Sequence, residues 1–104
     1  MEIYIGPPEA KPDATLSRDL VLAAFAQAGL AVAKVEKKPD VGRPRALWIV
    51  FFEGSEACLQ FQETDAGLVF ATLDQSMLDT SGYPDRICAT LEALGWEVDQ
   101  ENVG

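Results

Sequence analysis

The sequence predicts an α+β two-layer sandwich, in which an antiparallel β-meander of about four to six strands carries two helices. Three observations lead there. Residues 45–73 contain three short β-prone runs separated by two tight breaks. An apolar helical stretch lies on either side of this region, one before residue 30 and one after residue 80. Each stretch ends in the same device, a glycine followed by a short apolar run: Gly29-Leu30-Ala31-Val32 and Gly95-Trp96-Glu97-Val98. At 104 residues, the chain is expected to form one domain, 1–104.

Glu2 to Ile5 reads as a short strand stopped by Gly6-Pro7-Pro8, better suited to an edge or terminus than to the middle of a sheet. Residues 7–14 form a proline-rich surface connector. Thr15 or Ser17 can cap the first helix, Asp19 lies in its first turn, and Gly29 supplies a left-handed end. From Leu20 to Ala28 only Gln27 is polar, so this helix is expected to be covered on more than one side. The sheet would cover one side, and a second helix or a second subunit the other. Leu30 to Lys38 reads as a strand with Lys34, Lys37 and Lys38 toward solvent, followed by a turn cluster at 39–44.

Leu47 to Phe52 is apolar at every position and too short for a helix, which predicts a central strand with two apolar faces. Its second face needs a cover: the loop 6–14, the linker 74–82, or a partner. Trp48 and Phe51 lie on opposite faces, so at least one should be deeply buried, and Phe51→Ala is expected to abolish cooperative folding or to melt far below the parent. Gly54-Ser55 marks a two-residue hairpin turn. Beyond it, Ala57, Leu59 and Phe61 alternate with Cys58, Gln60 and Gln62. Thr64 to Gly67 is the second break, and Leu68 to Leu73 the third run. Met77 and Leu78 are expected to pin the polar linker to the core. Ser81 can cap the second helix, Pro84 suits its first turn, and Ile87, Leu91 and Leu94 form one buried stripe. After Trp96 to Val98 the tail is polar. The order β-α-β-β-β-β-α-β fits a ferredoxin-like split βαβ motif enlarged by a hairpin. It also fits a four-stranded meander between two helices, and the strand order stays open.

Charge and composition exclude several kinds of function. The net charge is −9, and its placement is lopsided. Residues 1–45 hold six acids and seven bases, whereas residues 46–104 hold eleven acids and one base, Arg86. Such a surface repels phosphate backbones and anionic lipid, so no nucleic acid and no membrane partner is expected. No apolar run reaches the roughly 18 residues of a membrane span, and the N-terminal residues have no signal-peptide pattern, which together predict a cytoplasmic location. There is no histidine, hence no usual general base and no Ser-His-Asp or Cys-His arrangement. Cys58 and Cys88 lack redox or zinc spacing. No phosphate-binding loop and no DxDxDG string occurs. No catalytic residue, metal or cofactor is expected.

The candidate binding residues are Glu53, Glu56, Glu63 and Asp65, grouped around the two hairpin turns, together with the aromatics Trp48 and Phe52. The two groups, Glu53 with Glu56 and Glu63 with Asp65, sit at opposite ends of one strand and need not form one patch. Trp48 and Phe52 would belong to a docking surface if the second sheet face is open, and to the core otherwise, with Tyr4 and Tyr83 as rim residues. In size, acidity and lack of catalytic groups, the chain looks like the small bacterial immunity or inhibitor proteins that cap a toxin or another enzyme. That resemblance implies a non-enzymatic protein-binding domain with a basic protein partner. The alternative is a structural or regulatory homodimer.

Overall fold

Two glycine-terminated helices and six strands alternate along the chain of the computed structural model, which describes residues 2–39, 46–74 and 81–99. The elements are β1 (Glu2–Gly6), α1 (Arg18–Gln27), β2 (Val32–Pro39), β3 (Ala46–Phe52), β4 (Cys58–Thr64), β5 (Gly67–Asp74), α2 (Tyr83–Ala93) and β6 (Glu97–Asp99). The strands form one sheet in the order β2-β3-β4-β5-β1-β6, and every neighbouring pair is antiparallel. The expected α+β class is therefore present, and the strand order decides between its two variants. β5-α2-β6 is a split βαβ unit with β1 between its parallel strands. β1-α1-β2 is a second, spread over the three strands β5, β4 and β3. This is the split βαβ arrangement widened by the β3–β4 hairpin.

β1 is not an edge strand. It pairs with β5 through Ile3↔Leu73 and Ile5↔Ala71, and with β6 through Ile5↔Val98. Its prolines sit beyond the last paired residue and remove no ladder bond. The edges are β6, only three residues long, and β2, which carries Lys34, Lys37, Lys38 and Pro39. Brevity at one edge, and lysines with a proline at the other, discourage strand addition.

Both helix ends are built as the glycines suggest. The Gly29 amide donates to the Ala26 carbonyl and the Leu30 amide to Phe25; the Gly95 amide donates to Glu92 and the Trp96 amide to Leu91. This paired pattern is the Schellman motif. Ser17, rather than Thr15, caps α1, its Oγ accepting from the Leu20 amide at 3.1 Å. α2 starts one residue later than expected, at the left-handed Gly82, and the Ser81 hydroxyl accepts from the Tyr83 amide instead. Arg86 then ties the helices together: its guanidinium donates to the Ala28 carbonyl at the end of α1 and lies over the Tyr83 ring. A cation at a helix C-terminus also offsets the partial negative charge there.

One side of the sheet carries the core. Val21 and Phe25 of α1, and Ile87, Cys88 and Leu91 of α2, pack on Ile3, Ile5, Val50, Leu59, Phe61, Ala71 and Leu73. The connector before α1 joins this layer through Leu16, which exchanges backbone hydrogen bonds with Leu68 at 2.8 and 3.1 Å. α1 itself departs from expectation: only Val21 and Phe25 are buried, and Leu20 is 48% exposed. Alanine is the strongest helix former, so an alanine-rich segment holds a helix even where it packs on nothing. Of the turn expected at 39–44, Pro39 instead closes β2, paired with Ala46, and 40–44 lie outside the described residues, as do the Met77–Leu78 contact and the tail beyond Asp99.

Candidate functional site: the uncovered face of the sheet

Because side chains alternate along a strand, the register fixes which residues share each face. Opposite the helices, β2 contributes Lys34, Glu36 and Lys38, which pair with Phe51, Ile49 and Leu47 of β3. β4 continues the rows with Cys58, Gln60 and Gln62, and β5 with Asp74, Thr72 and Phe70. Glu2 and Tyr4 of β1 follow, and Glu97 of β6 is paired with Gly6. Among the described residues, no helix lies over this face. Its middle is apolar or uncharged and its two sides are charged.

The apolar residues of this face form two groups, Leu47, Ile49 and Phe51 on β3 and Phe70 with Tyr4 on β5 and β1, separated by Gln60 and Gln62 of β4. Ile49 is 7% exposed, yet it stands apart from the helix-side core. Leu47 and Phe51 flank it and stay half-buried. Phe70 and Tyr4 stack with ring centroids 6.0 Å apart. At the β2 side, the Lys34 ammonium lies 5.9 Å from the Phe51 ring centroid and 2.5 Å from Glu36 Oε1. That lysine, by hydrogen bond and by charge, holds the Glu36 carboxyl below its usual range. At the opposite side the Tyr4 hydroxyl donates to Glu2 Oε2 at 3.1 Å, and this carboxylate pushes the phenol upward.

The residues singled out from the sequence separate into three groups. Trp48 and Phe52 are 2% and 4% exposed and face the helices. Trp48 packs on Phe61, and Phe52 meets Phe25 and Tyr83 edge-on. They belong to the core and offer no surface to a partner; the open face displays the other register of the same strand. Glu63 is also withdrawn from the surface. Its side chain is only 13% exposed, held by Arg18 at 2.8 Å and Lys37 at 3.4 Å, while Arg18 leans over the Trp48 ring. It is an interelement clasp between α1, β2 and β4. Asp65 is exposed in the β4–β5 turn. Glu53 and Glu56 are exposed at the far end of β4, beside the end of the sheet where Asp74 and Glu2 are paired across β5 and β1. The two groups of acids are thus separated by the length of β4.

The residues missed by the sequence reading are Leu47, Phe51, Phe70 and the flanking charges. A signal existed, since Lys34, Glu36 and Lys38 recur with the period of two that puts them on one face. A second apolar area lies between α1 and the β2 edge, around Leu22, Ala26, Leu30 and Val35, the last 40% exposed. It adjoins the lysine-bearing edge strand.

Both cysteines are free. Burial raises the Cys88 thiol to about 11, helped by Glu92 and Asp85, and burial also raises Cys58. Both thiols are protonated at neutral pH, which is the unreactive form. Among the described residues no three His, Cys, Asp or Glu side chains gather as a metal site, and no helix is long and apolar enough to cross a membrane. Comparison with protein-family models, curated proteins and solved structures finds no match to this chain. What the fold and this surface define is a two-layer α+β sandwich with one sheet face uncovered among the described residues.

Proposed function

We propose that this chain is a non-enzymatic protein-binding domain that works in the cytoplasm and docks through the uncovered face of its sheet. The observation that carries this reading is the pair of apolar groups, Leu47, Ile49 and Phe51 on one side of the β4 glutamines and Phe70 with Tyr4 on the other, bounded by charge on both sides. An apolar centre with a polar rim is the usual anatomy of a protein interface. The protonated thiols and the lack of histidine support the non-enzymatic part of the reading.

The acids Glu2, Asp74, Glu53 and Glu56 at one end of the face call for a basic counter-surface. An inhibitor or immunity protein that caps a basic partner would use them in that way. The test is a photoreactive residue placed at Gln60, in the middle of the face, and separately at Ala89, exposed on α2. Irradiation in cells is expected to yield covalent protein adducts from position 60 and none from position 89. Adducts from position 89 alone, or from neither, would overturn the docking face.

A further inference from the structure

The uncovered face is charged differently on its two sides. Its β2 side carries Lys34 and Lys38, both exposed, with Glu36 already paired to Lys34. Its β1 and β6 side carries Glu2 and Glu97, also exposed and at opposite ends of β1, and Asp74 stands beside Glu2 on β5. A basic partner of unrelated sequence would satisfy the acids and place its own cations against Lys34 and Lys38. The geometry points to a different occupant: a second copy of this chain, packed face to face about a two-fold axis that runs along the strands. This inference rests on the docking face proposed above and puts a second copy in place of its basic partner.

Two simple symmetry axes lie in such an interface. An axis across the strands would set β2 on β2 and acids on acids. An axis along the strands reverses the strand order, so β2 meets the β6 and β1 side of the second copy, and β4 meets β5. Row by row, Lys38 then faces Glu97 of the second copy; in the other outer row Glu2 lies opposite Phe51 with Lys34 at its side, and Asp74 lies opposite Cys58. In the middle row, Ile49 lies against Tyr4 and Gln60 against Thr72. Sheets stacked face to face keep their strands within about 30° of each other, so this register holds best near the centre.

Strand addition at the sheet edge is the competing route to a dimer, and the lysines and Pro39 on β2 work against it. Six strands about 4.8 Å apart, rising about 3.3 Å per residue, make a face of roughly 25 by 20 Å. That is below the roughly 800 Å² per partner of a standard interface, which suits a dimer of about micromolar strength. Two chains of charge −9 repel each other at long range. At physiological ionic strength the screening length is about 8 Å, so contacts at the rim decide the orientation.

The test is sedimentation equilibrium at physiological salt. The parent protein is expected to pass from 11.3 kDa to twice that mass within about 1–100 µM. Lys34→Glu with Lys38→Glu, and separately Glu2→Lys with Glu97→Lys, should each weaken the dimer roughly tenfold or more. All four positions are exposed, so melting temperatures extrapolated to low concentration should stay near the parent's. Mixing the two variants should restore dimers to within about threefold of the parent's affinity, because each charge again meets its opposite. A parent that remains at 11.3 kDa across that range overturns the inference. So does a dimer that the reversals leave untouched or that mixing fails to rescue. Adducts from position 60 separate the two readings. A product of two copies supports both, and a product with a different protein keeps the docking face while removing the second copy.

Discussion

Leu47 to Phe52 is apolar on both sides of β3, yet the two sides have different surroundings. Trp48, Val50 and Phe52 lie under the helices at no more than 4% exposure, whereas Leu47 and Phe51 are half-buried on the opposite face. Composition cannot distinguish these sets; topology does. The crossover from β1 runs toward β2, and that from β5 runs toward β6, in the opposite direction across the sheet. β1 and β5 are themselves antiparallel. Two right-handed crossovers that start antiparallel and travel oppositely fall on the same face. Both helices therefore cover one side, and among the described residues no helix covers the other.

The largest effect that can break this comparison is a pair of truncations. Phe61 is fully buried on the helix side, so Phe61→Ala should cost about 3–5 kcal/mol, a large part of the roughly 5–15 kcal/mol that holds a domain together. Phe51→Ala should cost only about 1–2 kcal/mol, because the half-buried ring has less surface to lose. The half-burial of Phe51 thus lowers the loss expected from sequence, by which Phe51→Ala abolishes cooperative folding or melts far below the parent. Urea melts of both variants measure the difference; equal losses would mean the second face is covered as deeply as the first.

Next in size is Gly67→Ala at the β4–β5 turn. Gly67 has φ +126°, and an added methyl would sit 3.0 Å from the Leu16 carbonyl oxygen. That contact is backbone and belongs to the Leu16–Leu68 bridge, so little can yield. A loss of about 1–3 kcal/mol is expected, together with faster amide exchange at Leu16 and Leu68. Gly54→Ala, where nothing lies within 4 Å, retains only the cost of a positive φ and should lose less.

The smallest effect separates the two groups of turn acids. Glu63→Gln weakens two ion pairs to a largely buried side chain and should cost about 1 kcal/mol. Glu53→Gln with Glu56→Gln should stay within about 0.5 kcal/mol, as exposed substitutions usually do. Differential scanning calorimetry reads both. A neutral Glu63→Gln would mean that its clasp does not contribute to stability.

Much of this fold was legible in the sequence because it depends on near neighbours. The glycine ends of both helices, the hairpin breaks and the alternating strands are set within five or six residues, where backbone sterics and local hydrogen bonds dominate. The separation of Glu53 and Glu56 from Glu63 and Asp65 followed from strand length alone. The sequence could not assign Trp48 and Phe52 to the core rather than to a docking face, since either register of β3 is apolar. Nor did it reveal that Glu63 joins Arg18 and Lys37, or that Arg86 reaches the Ala28 carbonyl 58 residues away. Those pairings exist only once the strands are ordered. The same holds for the candidate site: Lys34, Phe51, Cys58, Asp74 and Glu2 form one row across the sheet because five strands meet in register, and long-range packing, not local propensity, chooses which strands are neighbours.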